Sequence, residues 1–173
     1  MKRKRQQSLF VRQFSSYIHY TTIKYICFFK LMQYNIRHMN NTYNWYSQLI
    51  KPTWSPPSWL FGPVWTFLYV LIAISFGKVF WMLFKGQIPF IVVLPFILNL
   101  IFNFSFTPLQ FGLQNNILAG VDILLVLGTL IWAMIAIYPY AQWISYIQIP
   151  YLIWVSFATV LQLTITYLNL SAH

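Results

Sequence analysis

The sequence predicts an all-α, polytopic membrane helix bundle, with four clear transmembrane helices behind an N-terminal amphipathic or degenerate first helix. Three observations carry this. Hydrophobic residues make up 59% of the chain and charged residues 7%, against about 25% charged in a soluble domain. Four largely apolar stretches, each near the ~20 residues that cross a bilayer, follow one another through short connections. The charge is lopsided: of 11 Lys and Arg, only Lys78 and Lys85 follow Lys51. At 173 residues one domain is the default, read as a basic segment over 1–44 and a transmembrane domain over 45–170. A net charge of +10 could suit nucleic acid, but here the basic block abuts apolar spans. The expected partner is therefore the lipid bilayer and its anionic surface, with no nucleic acid.

The basic segment opens on Lys2-Arg3-Lys4-Arg5 and has no acid. Its longest charge-free run, Gln13 to Ile23, is eleven residues, too short to span. On a helical wheel Phe10, Phe14, Tyr17, Tyr25, Phe28 and Met32 share a face, with Arg12, Lys30 and Arg37 opposite, which suits a helix lying on the bilayer. Lys24 falls on the apolar side. Translation starting at Met39, or a targeting peptide, would also explain the composition. Cys27 is the one cysteine, so no intrachain disulfide can form.

Trp45 to Trp65 packs four tryptophans and four prolines into 21 residues. It reads as a stiff interfacial loop feeding a membrane helix, because Trp favours the headgroup level. Ser55 is the expected N-cap, with Pro56 and Pro57 in the first turn, where a missing N–H costs little.

Trp59–Phe84 is the first span, 26 residues or about 39 Å as a helix. Lys78, near its end, can snorkel to the headgroups, and Lys85-Gly86-Gln87 forms a tight turn. Ile88–Phe106 is the second span, kinked at Pro95 and ended by Thr107-Pro108, since a residue before proline avoids helical geometry. Residues 107–116 form a polar connection whose Asn115-Asn116 can cap the next helix. Ile117–Tyr138 is the third span, stopped by Pro139. It carries Asp122, the only acid, in its second turn, where the helix dipole favours negative charge. A structural or interhelical role is expected of it ahead of proton chemistry. Trp143–Leu168 is the last span, with a kink at Pro150. Short loops make neighbouring spans antiparallel.

One acid excludes a carboxylate pair, and His19, His38, His173 and Cys27 all lie outside the four spans. No catalytic residue, no metal site and no cofactor is expected, although Met82, Met134 and tyrosines lie in the spans. Binding is the better fit. Aromatic side chains and the interior prolines Pro63, Pro95 and Pro150 leave ring-lined gaps between kinked helices. Such gaps suit a large flat apolar ligand held by stacking: a tetrapyrrole, a sterol or an aromatic drug. Any single Trp is more simply explained by lipid contact or helix packing.

Three blocks add a resemblance. Trp45-Tyr46, then Lys51-Pro52-x-Trp54-x-Pro56-Pro57-x-Trp59, then Phe61-Gly62-Pro63-Val64-Trp65-Thr66 form the first; Asn103-x-x-Phe106-Thr107-Pro108-Leu109-x-Phe111-Gly112 the second; Pro150-Tyr151-Leu152-x-Trp154-Val155-Ser156-Phe157-Ala158-Thr159 the third. In this order they resemble the tryptophan-rich sensory protein / translocator protein family, also called the peripheral benzodiazepine receptor family, over about residues 45 to 169. The resemblance implies a five-helix bundle, often a homodimer, with a ligand cavity inside it capped by the loop after the first helix. Carried over by position, Trp65 would be an aromatic wall, Asn103 a polar anchor, Phe106 a ring where many members have Trp, Trp154 the facing aromatic, Ala158 the space beside it and Trp54 a lid. Gln110 departs from the pattern, standing where the family usually has Phe. The family's cholesterol segment needs Tyr and then Arg, but Leu163 and Tyr167 occupy those positions. The expected protein is an integral, multi-pass membrane receptor or sensor, in a bacterial inner membrane or an organelle membrane. It would bind porphyrin-like or other flat apolar ligands, tetrapyrrole or sterol, in sensing, transport or tetrapyrrole control. The alternative is a light-dependent porphyrin-degrading enzyme using Trp65 and Trp154 as redox-active rings.

Overall fold

The computed structural model describes residues 45–170. The chain divides after Ser47 into two units, and the helices below belong to the unit that starts at Gln48. The expectations for residues 1–44 (the amphipathic or degenerate first helix, the start at Met39, Cys27, His19 and His38) and for His173 lie outside the described residues.

Helix entry comes later than the sequence suggests. Ser55 caps nothing: the chain stays extended through Pro57 (φ −63°, ψ 143°) and turns at a 3-10 segment, Ser58–Leu60. The reason lies in the prolines. An N-cap at Ser55 would accept from the N–H of residue 57 or 58; Pro57 has none, and its extended backbone keeps Ser58 out of a first turn begun at Ser55. Helix α1 then runs Phe61–Phe84, about 36 Å. It ends in a Schellman motif: Gly86 sits at φ +66°, its N–H donates to the Leu83 carbonyl at 2.9 Å, and Gln87 N–H reaches the Met82 carbonyl at 2.9 Å. Lys78 bends along the helix to place its Nζ 3.8 Å from the centroid of Trp81.

Helix α2 spans Phe90–Thr107 with Pro95 inside it. Thr107 does not end the helical path. It keeps helical angles (φ −61°, ψ −50°) and leads into a π-helical turn, Pro108–Gly112, so Pro108 opens that turn instead of closing α2. The widened turn absorbs the proline and swings Gln110 inward, where it is 1% exposed. Its Nε2 donates to Asn116 Oδ1 at 3.0 Å, and its Oε1 accepts from Gln162 Nε2 at 3.0 Å. A buried amide with both ends paired holds the chain in this irregular form.

Helix α3 runs Asn116–Ile137. Asn115 caps it as expected, its Oδ1 accepting from the N–H groups of Ile117 and Leu118 at 3.0 Å each. The last span is two helices, α4 Gln142–Ile147 and α5 Ile149–Leu170. The break falls at Gln148, two residues before Pro150, whose ring cannot follow an unbroken turn. Gln148 is buried and its Nε2 donates to Ser75 Oγ on α1.

Four spans result, Ser58–Phe84, Phe90–Gly112, Asn116–Ile137 and Gln142–Leu170, each long and apolar enough to cross a membrane. All described elements are helical. Helix α3 has the closest backbone packing, with α2 and with α5, while α1 packs chiefly on α2 and α4. Phe76, Val93, Phe96, Leu130 and Ala133 lie at the core, with Phe76 and Phe96 edge to face at 4.8 Å.

Candidate ligand site at the seam of α1 and α5

Among the described residues, α1 and α5 show no run of close backbone approach. Side-chain rings bridge them instead. Helical spacing puts Phe61, Trp65 and Tyr69 at i, i+4 and i+8 along one side of α1, and Tyr151, Trp154 and Ala158 at i, i+3 and i+7 on α5. Trp65 meets Tyr151 across the seam at 6.4 Å and 66°. One turn nearer the helix entry, Phe61 meets Trp154 at 5.7 Å and 71°. Edge-to-face pairs of this kind are favourable ring geometry. Trp65 also leans on Tyr69 at 5.4 Å, and Tyr69 stacks on Phe104 of α2 at 6.4 Å. At the far end Trp154 meets Phe157 at 5.6 Å, and Trp54 of the proline-rich loop rests edge-on against Phe157 at 6.0 Å.

Behind the rings lies a chain of hydrogen bonds with one direction. Tyr69 Oη donates to Asn103 Oδ1 (3.3 Å), Asn103 Nδ2 to Tyr151 Oη (2.8 Å), and Tyr151 Oη to Asn99 Oδ1 (3.2 Å). Asn99 Nδ2 donates to Thr129 Oγ1 (3.2 Å) and to the Val126 carbonyl (2.9 Å). Every helix of the tight core and α1 contribute a group. In a medium without water each such group needs an internal partner, and the chain supplies them.

Three buried polar atoms lack one. Trp154 Nε1, Asp122 Oδ2 and Gln148 Oε1 are buried without a hydrogen-bond partner among the described residues. Asp122 is 4% exposed on the inner face of α3. An indole N–H can only donate, so the Trp154 group is matched to an acceptor.

Of the residues singled out in the sequence, Trp65 lies in one ring set with Tyr69, Tyr151 and Phe104, and Trp154 and Trp54 lie in a second with Phe61 and Phe157; each set bridges α1 and α5. Asn103 joins the first set through Tyr151 and is already paired to two tyrosines. Phe106 and Ala158 are half-buried and pack against the core from α2 and α5. Sequence reasoning missed Phe61, Tyr69, Tyr151 and Phe157 as members of these ring sets. The signal was present: each stands three or four residues from a named tryptophan, on its helix face. Gln110 was noted only as a departure, whereas it pairs with Gln162 and Asn116 inside the bundle.

Four apolar spans around a paired-amide core, with an aromatic seam along one side, define an integral multi-pass membrane protein. The chain belongs to the TspO/MBR family, whose model matches residues 22–168. It is 36% identical to the tryptophan-rich protein TspO of Chlorobaculum tepidum, over 72% of this chain and 79% of that protein. It is 35% identical to the human translocator protein, over 68% of this chain and 70% of that protein. It is 31% identical to the tryptophan-rich sensory protein of Cereibacter sphaeroides, over 72% and 77% of the two chains.

Proposed function

We propose that this protein is a membrane receptor or sensor that takes a porphyrin-like or other flat apolar ligand into the seam between α1 and α5. The observation that carries the reading is Trp154: a buried N–H donor with no protein partner, set among stacking rings. Such a donor in hydrocarbon is costly until an acceptor arrives. A flat conjugated ring system with carbonyl or carboxylate edges supplies both faces for Trp65 and Phe61 and an acceptor for Trp154 Nε1. Asn103 anchors the site by fixing the hydroxyls of Tyr69 and Tyr151. Phe106 and Ala158 limit its depth, and Trp54 closes its end.

Soret absorption of protoporphyrin IX mixed with the purified protein, followed in the dark and in light, tests this. A shifted Soret band that is stable in light, and weakened in Trp154→Phe, supports the receptor. Bleaching in light that Trp65→Phe and Trp154→Phe both abolish favours the degrading enzyme instead. No spectral change together with unquenched Trp emission overturns both.

A further inference from the structure

The loop before α1 is tied to the far end of the last helix. Asn169, near the C-terminal end of α5, pairs with the backbone of Ile50: Ile50 N–H donates to its Oδ1 at 3.1 Å, and its Nδ2 donates to the Ile50 carbonyl at 3.0 Å. The side-chain amide thus reads one residue as a neighbouring strand would, across 119 positions of sequence. Its Nδ2 also donates to the Ile165 carbonyl one turn back, at 2.8 Å, which fixes the amide's orientation.

This pairing has a mechanical setting. Ile50 is held to α5 by Asn169, Trp54 is held to α5 by Phe157, and the chain then crosses to α1 through the 3-10 segment at Ser58–Leu60. Residues 50–57 therefore form a strap from α5 to α1 at the entry end of the seam. Pro52, Pro56 and Pro57 stiffen it by fixing φ, and Ser55 N–H closes a turn on the Pro52 carbonyl at 3.0 Å. A stiff strap opens as a unit, and one ring contact and one side-chain amide are among the contacts that hold it to α5.

We propose that Asn169 is a latch: its amide holds the strap across the α1–α5 seam, and release of that amide opens the seam to a ligand. Asn169 does not touch the rings of the site, so it is a positioning residue that governs passage in and out. The ligand part of the proposal rests on the receptor reading above; the latch itself does not.

The test is hydrogen exchange, read by mass spectrometry on the full chain in lipid nanodiscs, comparing wild type, Asn169→Leu and Thr164→Val. Thr164 is the control, because its hydroxyl bonds only the Val160 carbonyl of its own helix. With two hydrogen bonds lost, Asn169→Leu is expected to raise exchange in the peptide covering residues 48–58 about tenfold, with α1 and α3 unchanged. Thr164→Val is expected to leave that peptide alone. Asn169→Asp, which keeps the acceptor for Ile50 N–H and loses the donor, should fall between. In stopped-flow mixing with protoporphyrin IX, Asn169→Leu should speed uptake and release together, leaving the equilibrium affinity within about threefold. Unchanged strap exchange in Asn169→Leu overturns the latch, as does an equal rise in Thr164→Val. Raised strap exchange with unchanged uptake and release overturns the gating role. A wild type that takes up no protoporphyrin sinks the receptor reading, and the exchange comparison still decides the latch.

Discussion

The two sides of α5 differ in how they are held. Toward α3 the backbones run close, toward α2 amides and a hydroxyl are paired, and residues such as Val155 are fully buried. Toward α1 the backbones stand off, and Trp65, Phe61, Tyr151 and Trp154 fill the space with rings. Lipid tails are as apolar as leucine, so burial from water does not drive helices together inside a bilayer. Close packing and interhelical hydrogen bonds do, and both are concentrated on the core side. The seam keeps the lesser share of each. Its rings can trade one aromatic neighbour for another, including a ligand, at small cost.

That contrast can be broken by substitution. Phe96→Ala, in the core against Phe76, should cost about 3–5 kcal/mol through the cavity it leaves, read as a large fall in the thermal midpoint in detergent. Tyr151→Phe removes the hydroxyl that joins Asn99 to Asn103 and should cost about 1–2 kcal/mol, the range for interhelical bonds in membranes. Gly86→Ala lies outside both regions and should cost about 1 kcal/mol, because alanine resists the positive φ found there; it calibrates the scale. Trp154→Phe should cost less than about 1 kcal/mol, since the N–H it deletes is unpartnered, yet it should weaken protoporphyrin binding about tenfold, as one aromatic donor contact is lost. If Trp154→Phe destabilises the apoprotein as much as Phe96→Ala, the seam is core after all. If Tyr151→Phe is silent, the hydrogen-bond chain contributes nothing and the distinction rests on packing alone.

Much of this was legible in the chain. The spans were, because a run of apolar residues without charge has one stable placement and must satisfy its backbone as helix. Their ends were less so where proline was involved. Ser55 looked like a cap, but Pro57 lacks an N–H and stays extended, so the helical turn starts only at Ser58. Thr107 looked like a terminus, but Gln110 found two buried amide partners that stabilise a widened turn. Those partners, Asn116 and Gln162, stand 6 and 52 residues away, and nothing local announces the more distant of them.

The sequence by itself determined the membrane class and the four spans, since hydropathy and helical spacing are local properties. Only the tertiary structure decided that Asn103 is answered by tyrosines, that Trp154 Nε1 and Asp122 Oδ2 are not answered, and that Asn169 holds Ile50. Partnership between polar groups is set by which helix faces meet at which height. That is a property of the packed bundle, where a single turn of offset exchanges every partner.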